Sequence, residues 1–175
     1  MVFSNRLVGN KAPEWTMEGF FDGEMKKYSL ADYKGKWLVI FFYPLDFTFV
    51  CPTEIKGFSA HADKFKEKVC ELVGASIDSV HSHKAWVERD FTDGLNLPLL
   101  SDITKDVAYE YGALLEDEGI SLRGTYVIDP EGIVRYMVVS GNNVGRSVDE
   151  TLRVVEALQN GGLCPVDWKP GEDTL

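Results

Sequence analysis

Apolar positions follow two rhythms along the chain. Residues 36–43, KWLVIFFY, form a continuous apolar run bounded by Gly35 and Pro44, which predicts a strand buried in a sheet covered on both faces. Residues 69–77, VCELVGASI, form a second such run. Between them Ile55, Phe58, Ala62 and Phe65 recur at helical spacing, with Lys and Glu on the remaining face, so a helix is expected over 53–68. Strand, helix and strand in this order predict a parallel pair. Asp78 or Ser79 can cap a helix over 82–91, and Ser101 or Asp102 another over 105–111. Residues 124–128 and 133–139 are β-rich runs joined by Asp129-Pro130-Glu131-Gly132, a turn that predicts a hairpin. A last helix is expected over 148–159, with Ser147 as N-cap and Leu152, Val155 and Leu158 on one face; Asn160-Gly161-Gly162 stops it. The tail LCPVDWKPGEDTL has no periodicity, and a surface position is predicted for it, on its own subunit or a neighbour's.

Helices alternating with strands, closed by a hairpin and a terminal helix, describe an α/β fold of the thioredoxin-like type, a central mixed sheet flanked by helices. Its 175 residues suit one domain over 1–160 followed by a C-terminal tail over 161–175. The formal net charge of -10 opposes binding to phosphate backbones and anionic lipids, and no Lys/Arg cluster compensates locally. Nucleic acid and membrane are therefore not expected partners. The start, MVFSNRLVGNK, lacks an apolar core for a signal peptide, and no run of about 18 apolar residues occurs. A soluble, cytoplasmic protein is expected.

Three cysteines, Cys51, Cys70 and Cys164, are too few for a disulfide scaffold, and their spacing matches neither a zinc site nor a CxxC motif. Cys70 lies inside an apolar run and reads as a small core residue. Cys51 sits where the first strand and helix meet, in FFYPLDFTFVCPTE. Pro52 suits the first position of a helix, which places Cys51 at or just before its N-terminus. The unpaired N–H groups and the helix dipole there favour an anion, the reactive form of a thiol. Thr48 can present a hydroxyl to whatever Cys51 attacks, and Pro44 can wall the site without offering an N–H. Glu54 opposes ionisation of a nearby thiol by itself, so it reads best as the partner that orients an arginine.

The stretch PLDFTFVCPTE resembles the Pro-x-x-x-Thr-x-x-Cys motif of peroxiredoxins, in the form carried by typical 2-Cys peroxiredoxins and the peroxidase subunit of bacterial alkyl hydroperoxide reductase. APEW, GASIDSVHSHKAW, EGISLRGTYVIDPEG, VGRSVDETLR and CPVDWKPGEDTL resemble further family segments, in family order. The resemblance implies that Cys51 is the peroxidatic cysteine, shielded by Pro44, with Thr48 hydrogen-bonding the peroxide and Arg123 activating thiolate and substrate. It makes Glu54 and Arg146 a supporting network, puts Trp86 near the pocket, and makes Cys164 the resolving cysteine that bonds Cys51 of a partner subunit. It also implies a hydroperoxide substrate, thioredoxin or the alkyl hydroperoxide reductase flavoprotein subunit as reductant, a homodimer assembling to a decamer, and no metal or organic cofactor.

Some eukaryotic relatives carry a Gly-Gly-Leu-Gly loop and a C-terminal helix with Tyr-Phe. This chain has Thr92-Asp93-Gly94-Leu95 instead and stops at Leu175, which implies that Cys51 unwinds readily and resists over-oxidation. A general disulfide reductase or isomerase lacks its CxxC here. Holdase chaperoning by an oligomer rests on the resemblance alone, as a side activity. His61, His81 and His83 lack carboxylates at ligand spacing and are expected in solvated or helix-start roles. The aromatics of residues 41–49 are expected in the core or an interface.

Overall fold

The computed structural model describes residues 7–175; the signal-peptide reading falls partly on residues 1–6, which lie outside the described residues. The chain folds as β1 (Thr16–Phe21), β2 (Glu24–Ser29), a 3-10 turn, β3 (Trp37–Phe42), α1 (Cys51–Glu67), β4 (Cys70–Ser76), α2 (Val80–Asp90) and β5 (Leu99–Ser101). It continues as α3 (Asp106–Glu110), a two-strand ribbon of β6 (Leu114–Leu115) and β7 (Ile120–Ser121), then β8 (Arg123–Ile128), β9 (Val134–Ser140) and α4 (Val148–Asn160). Seven strands form one mixed sheet in the order β2-β1-β5-β4-β3-β8-β9. β3 pairs with β4 in parallel and with β8 antiparallel, so it lies inside the sheet.

The uninterrupted apolar run of β3 follows from burial on both faces. Leu38, Ile40 and Phe42 join a core with Trp15, Tyr111 and Tyr126. The alternate residues Val39 and Phe41, with Tyr43 just beyond the strand, join a second core with Phe58 and Phe65 of α1 and Val155 of α4. The expected hairpin is β8–β9: Gly132 at φ 80 closes the turn, and the Asp129 carboxylate accepts from the backbone N–H groups of Glu131 and Ile133 at 3.0 and 2.9 Å.

Several boundaries differ from the sequence reading. α1 starts at Cys51 because Val50 already has helical dihedrals, so Pro52 is the second helical residue. α2 starts at Val80, capped by Ser79, whose hydroxyl accepts from Ser82 N–H. α3 is preceded by Lys105 in the left-handed region, and Asp102 caps it from further back, accepting from Val107 and Ala108 N–H at 3.2 and 2.7 Å. The β1–β2 hairpin has no counterpart in the sequence reading. Its signal is Asp22-Gly23, both at positive φ, the residues a two-residue turn of the right twist requires.

The tail is less loose than its sequence suggests. Trp168 is buried, its indole N–H donates to the Glu172 carbonyl at 3.1 Å, and its own carbonyl accepts from Arg153 of α4 at 3.1 Å. Leu175 N–H donates back to the Leu163 carbonyl at 2.9 Å. Among the described residues no helix is long and apolar enough to cross a membrane.

β1 and β5 approach closely at Gly19, where a Cβ would lie 2.5 Å from Leu100 Cδ2 and 2.8 Å from Tyr28 Cδ2. Gly19→Ala is expected to lower stability by about 1–3 kcal/mol through overpacking, read as a shift in the urea midpoint at unchanged slope.

Candidate active site

The loop from Pro44 to Val50 is held from several sides. Asp46 is its anchor: one carboxylate oxygen accepts from Tyr43 Oη at 2.8 Å, and the other accepts from Ser82 Oγ at 2.9 Å and lies 2.8 Å from His83 Nδ1. Its backbone N–H donates to Asp78 at 2.9 Å. Burial, then Asp46, pushes the Tyr43 hydroxyl well above its usual range. His83 is completely buried, with Nε2 3.0 Å from the Leu100 carbonyl. His83 lies at the start of α2, as one of the two expected roles has it, but it is not solvated: a residue 37 positions from Asp46 becomes its partner only in the fold. His61 keeps a half-exposed position, its Nδ1 2.9 Å from Gly57 O and its Nε2 3.4 Å from Asp149.

Phe47 adopts φ 57, a costly conformation for a bulky residue. Its ring packs 5.9 Å from Trp86 and lies 4.6 Å under the Arg89 guanidinium. Trp86 is fully buried and also touches Tyr43 and Phe91. Thr48 follows, and its hydroxyl donates to the Leu45 carbonyl at 2.9 Å, so its lone pairs stay free to accept. Pro44 is buried, whereas Phe49 is 94% exposed.

Cys51 is the first residue of α1 and has no exposed surface. Arg123, from the start of β8, donates to its sulfur through Nη1 at 3.5 Å. The same nitrogen donates to Glu54 at 2.6 Å, and the Asn142 carbonyl accepts from Arg123 Nε and Nη2 at 3.2 and 2.9 Å. Glu54, one turn along α1, also accepts from Arg146 through Nε at 2.9 Å, Nη2 at 2.8 Å and the backbone N–H at 2.9 Å. Arg146 Nη1 donates to the carbonyls of Phe42 and Gly124 at 2.7 and 3.0 Å. Burial lowers the Arg146 guanidinium from its ordinary value, and Glu54 pulls it back up.

Two buried guanidinium groups therefore share one carboxylate, which leaves one positive charge in excess. The Cys51 sulfur stands at that excess and at the N-terminus of α1, where the helix dipole has the same sign. The arrangement suits a nucleophilic sulfur and a transition state in which negative charge grows on an oxygen. The fold thus brings together Cys51, Glu54, Arg123 and Arg146, with Pro44 and Thr48 on the loop that leads into Cys51. It does not bring Cys164 to Cys51. All three cysteines are free thiols, and Cys164 is half-buried beside α4, donating to the Ala157 carbonyl at 3.8 Å.

Comparison with known proteins agrees with this geometry. Residues 8–137 match the model of the AhpC/TSA family. The chain belongs to the AhpC/TSA family of peroxiredoxins. It is 56% identical to a Clostridium pasteurianum protein named as a peroxiredoxin in the rubredoxin operon, over 97% of this chain and 99% of that one. It is 48% identical to mouse peroxiredoxin-2 over 100% of this chain and 92% of the relative. A reduced 2-Cys peroxiredoxin from Plasmodium vivax superposes with a TM-score of 0.91 at 39% identity, covering 97% of this chain and 92% of the other. The thioredoxin-like expectation for the fold is met by these neighbours, and the protein is a thiol peroxidase.

Two predictions follow from the peroxiredoxin geometry. Glu54→Gln leaves two buried guanidinium groups without their shared carboxylate and should cost about 3–5 kcal/mol in unfolding free energy, together with most of the peroxide-consuming rate. Cys70 is buried in β4, and burial, then Glu71, pushes its thiol up to about 12. At pH 8 roughly one Cys70 thiol in ten thousand is ionised, so iodoacetamide under native conditions should leave it unmodified in peptide mass spectra while Cys164 is labelled.

Proposed function

We propose that this peroxiredoxin reduces hydrogen peroxide and organic hydroperoxides with Cys51 as nucleophile and Cys164 of a partner subunit as the resolving thiol. The observation that carries the reading is the Cys51 sulfur, 3.5 Å from Arg123 at the N-terminal turn of α1, beside a network with one surplus positive charge. The Cys51 thiolate attacks one peroxide oxygen, an S–O bond forms, the O–O bond breaks, and the departing oxygen leaves as an anion that takes up a proton. Arg123 donates hydrogen bonds to the charge growing on that oxygen. Thr48, whose own proton is committed to Leu45, accepts from the peroxide O–H. Pro44 walls the site without an N–H to compete.

Cys51 is then a sulfenic acid. The Cys164 thiol displaces its hydroxyl as water and forms a disulfide. Because Cys51 is fully buried and Cys164 is docked on its own α4, this step requires the first turn of α1 to unwind and the tail to shift. Residues 161–175 serve as the delivery arm of a domain spanning 1–160. An external dithiol, thioredoxin or a flavoprotein reductase, returns the pair to thiols by exchange. A homodimer, assembled further into a decamer, supplies the partner subunit in a cytoplasmic setting.

Non-reducing electrophoresis after one equivalent of peroxide tests the reading. A dimer band is expected for the unaltered protein and for Cys70→Ser, and for neither Cys51→Ser nor Cys164→Ser. Cys51→Ser should also stop peroxide consumption. An oxidised monomer that migrates faster than the reduced one would show instead that the disulfide forms within one chain.

A further inference from the structure

The network at Cys51 rests on something besides ions. Arg146 Cζ lies over the ring of Phe41, 5.0 Å from its centroid. Phe41 is itself fully buried in β3, and its other neighbours hold it firmly. Phe58 of α1 stacks on it at 4.3 Å with planes 14° apart, and Phe65 follows Phe58 at 6.4 Å. Gly74 of β4 lies against the ring edge: a Cβ there would come within 2.9 Å of Phe41 Cζ and 3.1 Å of Leu99 Cδ2. The glycine leaves room for this ring and little for any other placement of it.

We propose that Phe41 is a positioning residue for the peroxidatic site, its π face holding the Arg146 guanidinium in the plane from which Arg146, through Glu54, orients Arg123 against the Cys51 sulfur. A buried guanidinium is costly unless every side of it meets a partner. Glu54 and the carbonyls of Phe42 and Gly124 occupy donors at its edge. Its flat face has no hydrogen to donate, and the negative face of an aromatic ring is the apolar surface that attracts it. Arg146 and Arg123 then share Oε2 of Glu54 at 2.8 and 2.6 Å. A tilt of the first guanidinium therefore moves the carboxylate on which the second depends, and Arg123 Nη1 is the donor to sulfur. A leucine at position 41 would remain apolar but would lose the stack on Phe58 and offer the cation nothing.

This inference rests on the reading of Cys51 as the nucleophile, and the experiment separates the two. Phe41 is replaced in turn by 4-fluoro-, 3,5-difluoro- and 3,4,5-trifluorophenylalanine, which drain the ring face progressively at nearly constant shape. The second-order rate with hydrogen peroxide should fall in step with the number of fluorines, to about one-tenth in the trifluoro protein, while the thermal midpoint stays within about 2 °C. In an Arg146→Gln background the dependence on fluorine should vanish, since no cation remains over the ring. A rate independent of fluorine number, or a slope that persists in Arg146→Gln, overturns the proposal. Full peroxide consumption by Cys51→Ser would instead overturn the underlying assignment of the nucleophile.

Discussion

One carboxylate shared by two buried guanidinium groups organises the functional end of this molecule. Glu54 is 2% exposed at its side chain, Arg123 3% and Arg146 5%, so none of the three charges is solvated by bulk water. Each is stable only in the presence of the others, which binds α1, β8 and the loop before α4 into one unit. The backbone supports that unit: carbonyls of Phe42, Gly124 and Asn142 all accept from the arginines. The same closure that makes the charges interdependent puts an unbalanced positive charge next to sulfur, so stability and reactivity depend on one set of contacts.

A second buried network holds the other wall. Asp46 links the loop carrying Thr48 to Tyr43, Ser82, His83 and Asp78, and thereby to α2 and the loop that follows β4. Phe47, in its left-handed conformation, is clasped by Trp86 and Arg89. The backbone of this loop is thus over-determined on both sides of the strained residue. Such strain persists only where the surroundings impose it, which fixes Thr48 relative to the start of α1.

Much of this was legible in the chain because it is local. The apolar run of β3, the helical spacing of α1 and the position of Cys51 beside Pro52 are statements about neighbours in sequence, and so is Ser147 as the cap of α4, where it accepts from Glu150 N–H at 3.2 Å. Arg123 and Arg146 were reachable only through resemblance, since no spacing rule connects them with Glu54, 69 and 92 positions away. His83 escaped for the same reason: helical periodicity marks a face as buried but does not name the carboxylate waiting there. Asp102 was one of two cap candidates named from the sequence and does cap α3, but the left-handed Lys105 that sets it back from the helix start had no signal there. The Asp22-Gly23 turn, by contrast, was missed although its signal lies in two adjacent residues.

The folded hook at the chain's end has a kinematic consequence. Cys164 follows the last residue of α4 by four positions, and the segment beyond it is closed by Trp168 against Glu172 and by Leu175 against Leu163. Four extended residues span at most about 14 Å, so the sulfur travels on a short tether however far the hook itself swings. Under the pairing proposed above, that tether bounds the reach of Cys164, and the remainder of the approach falls to the first turn of α1, where Cys51 is fully buried.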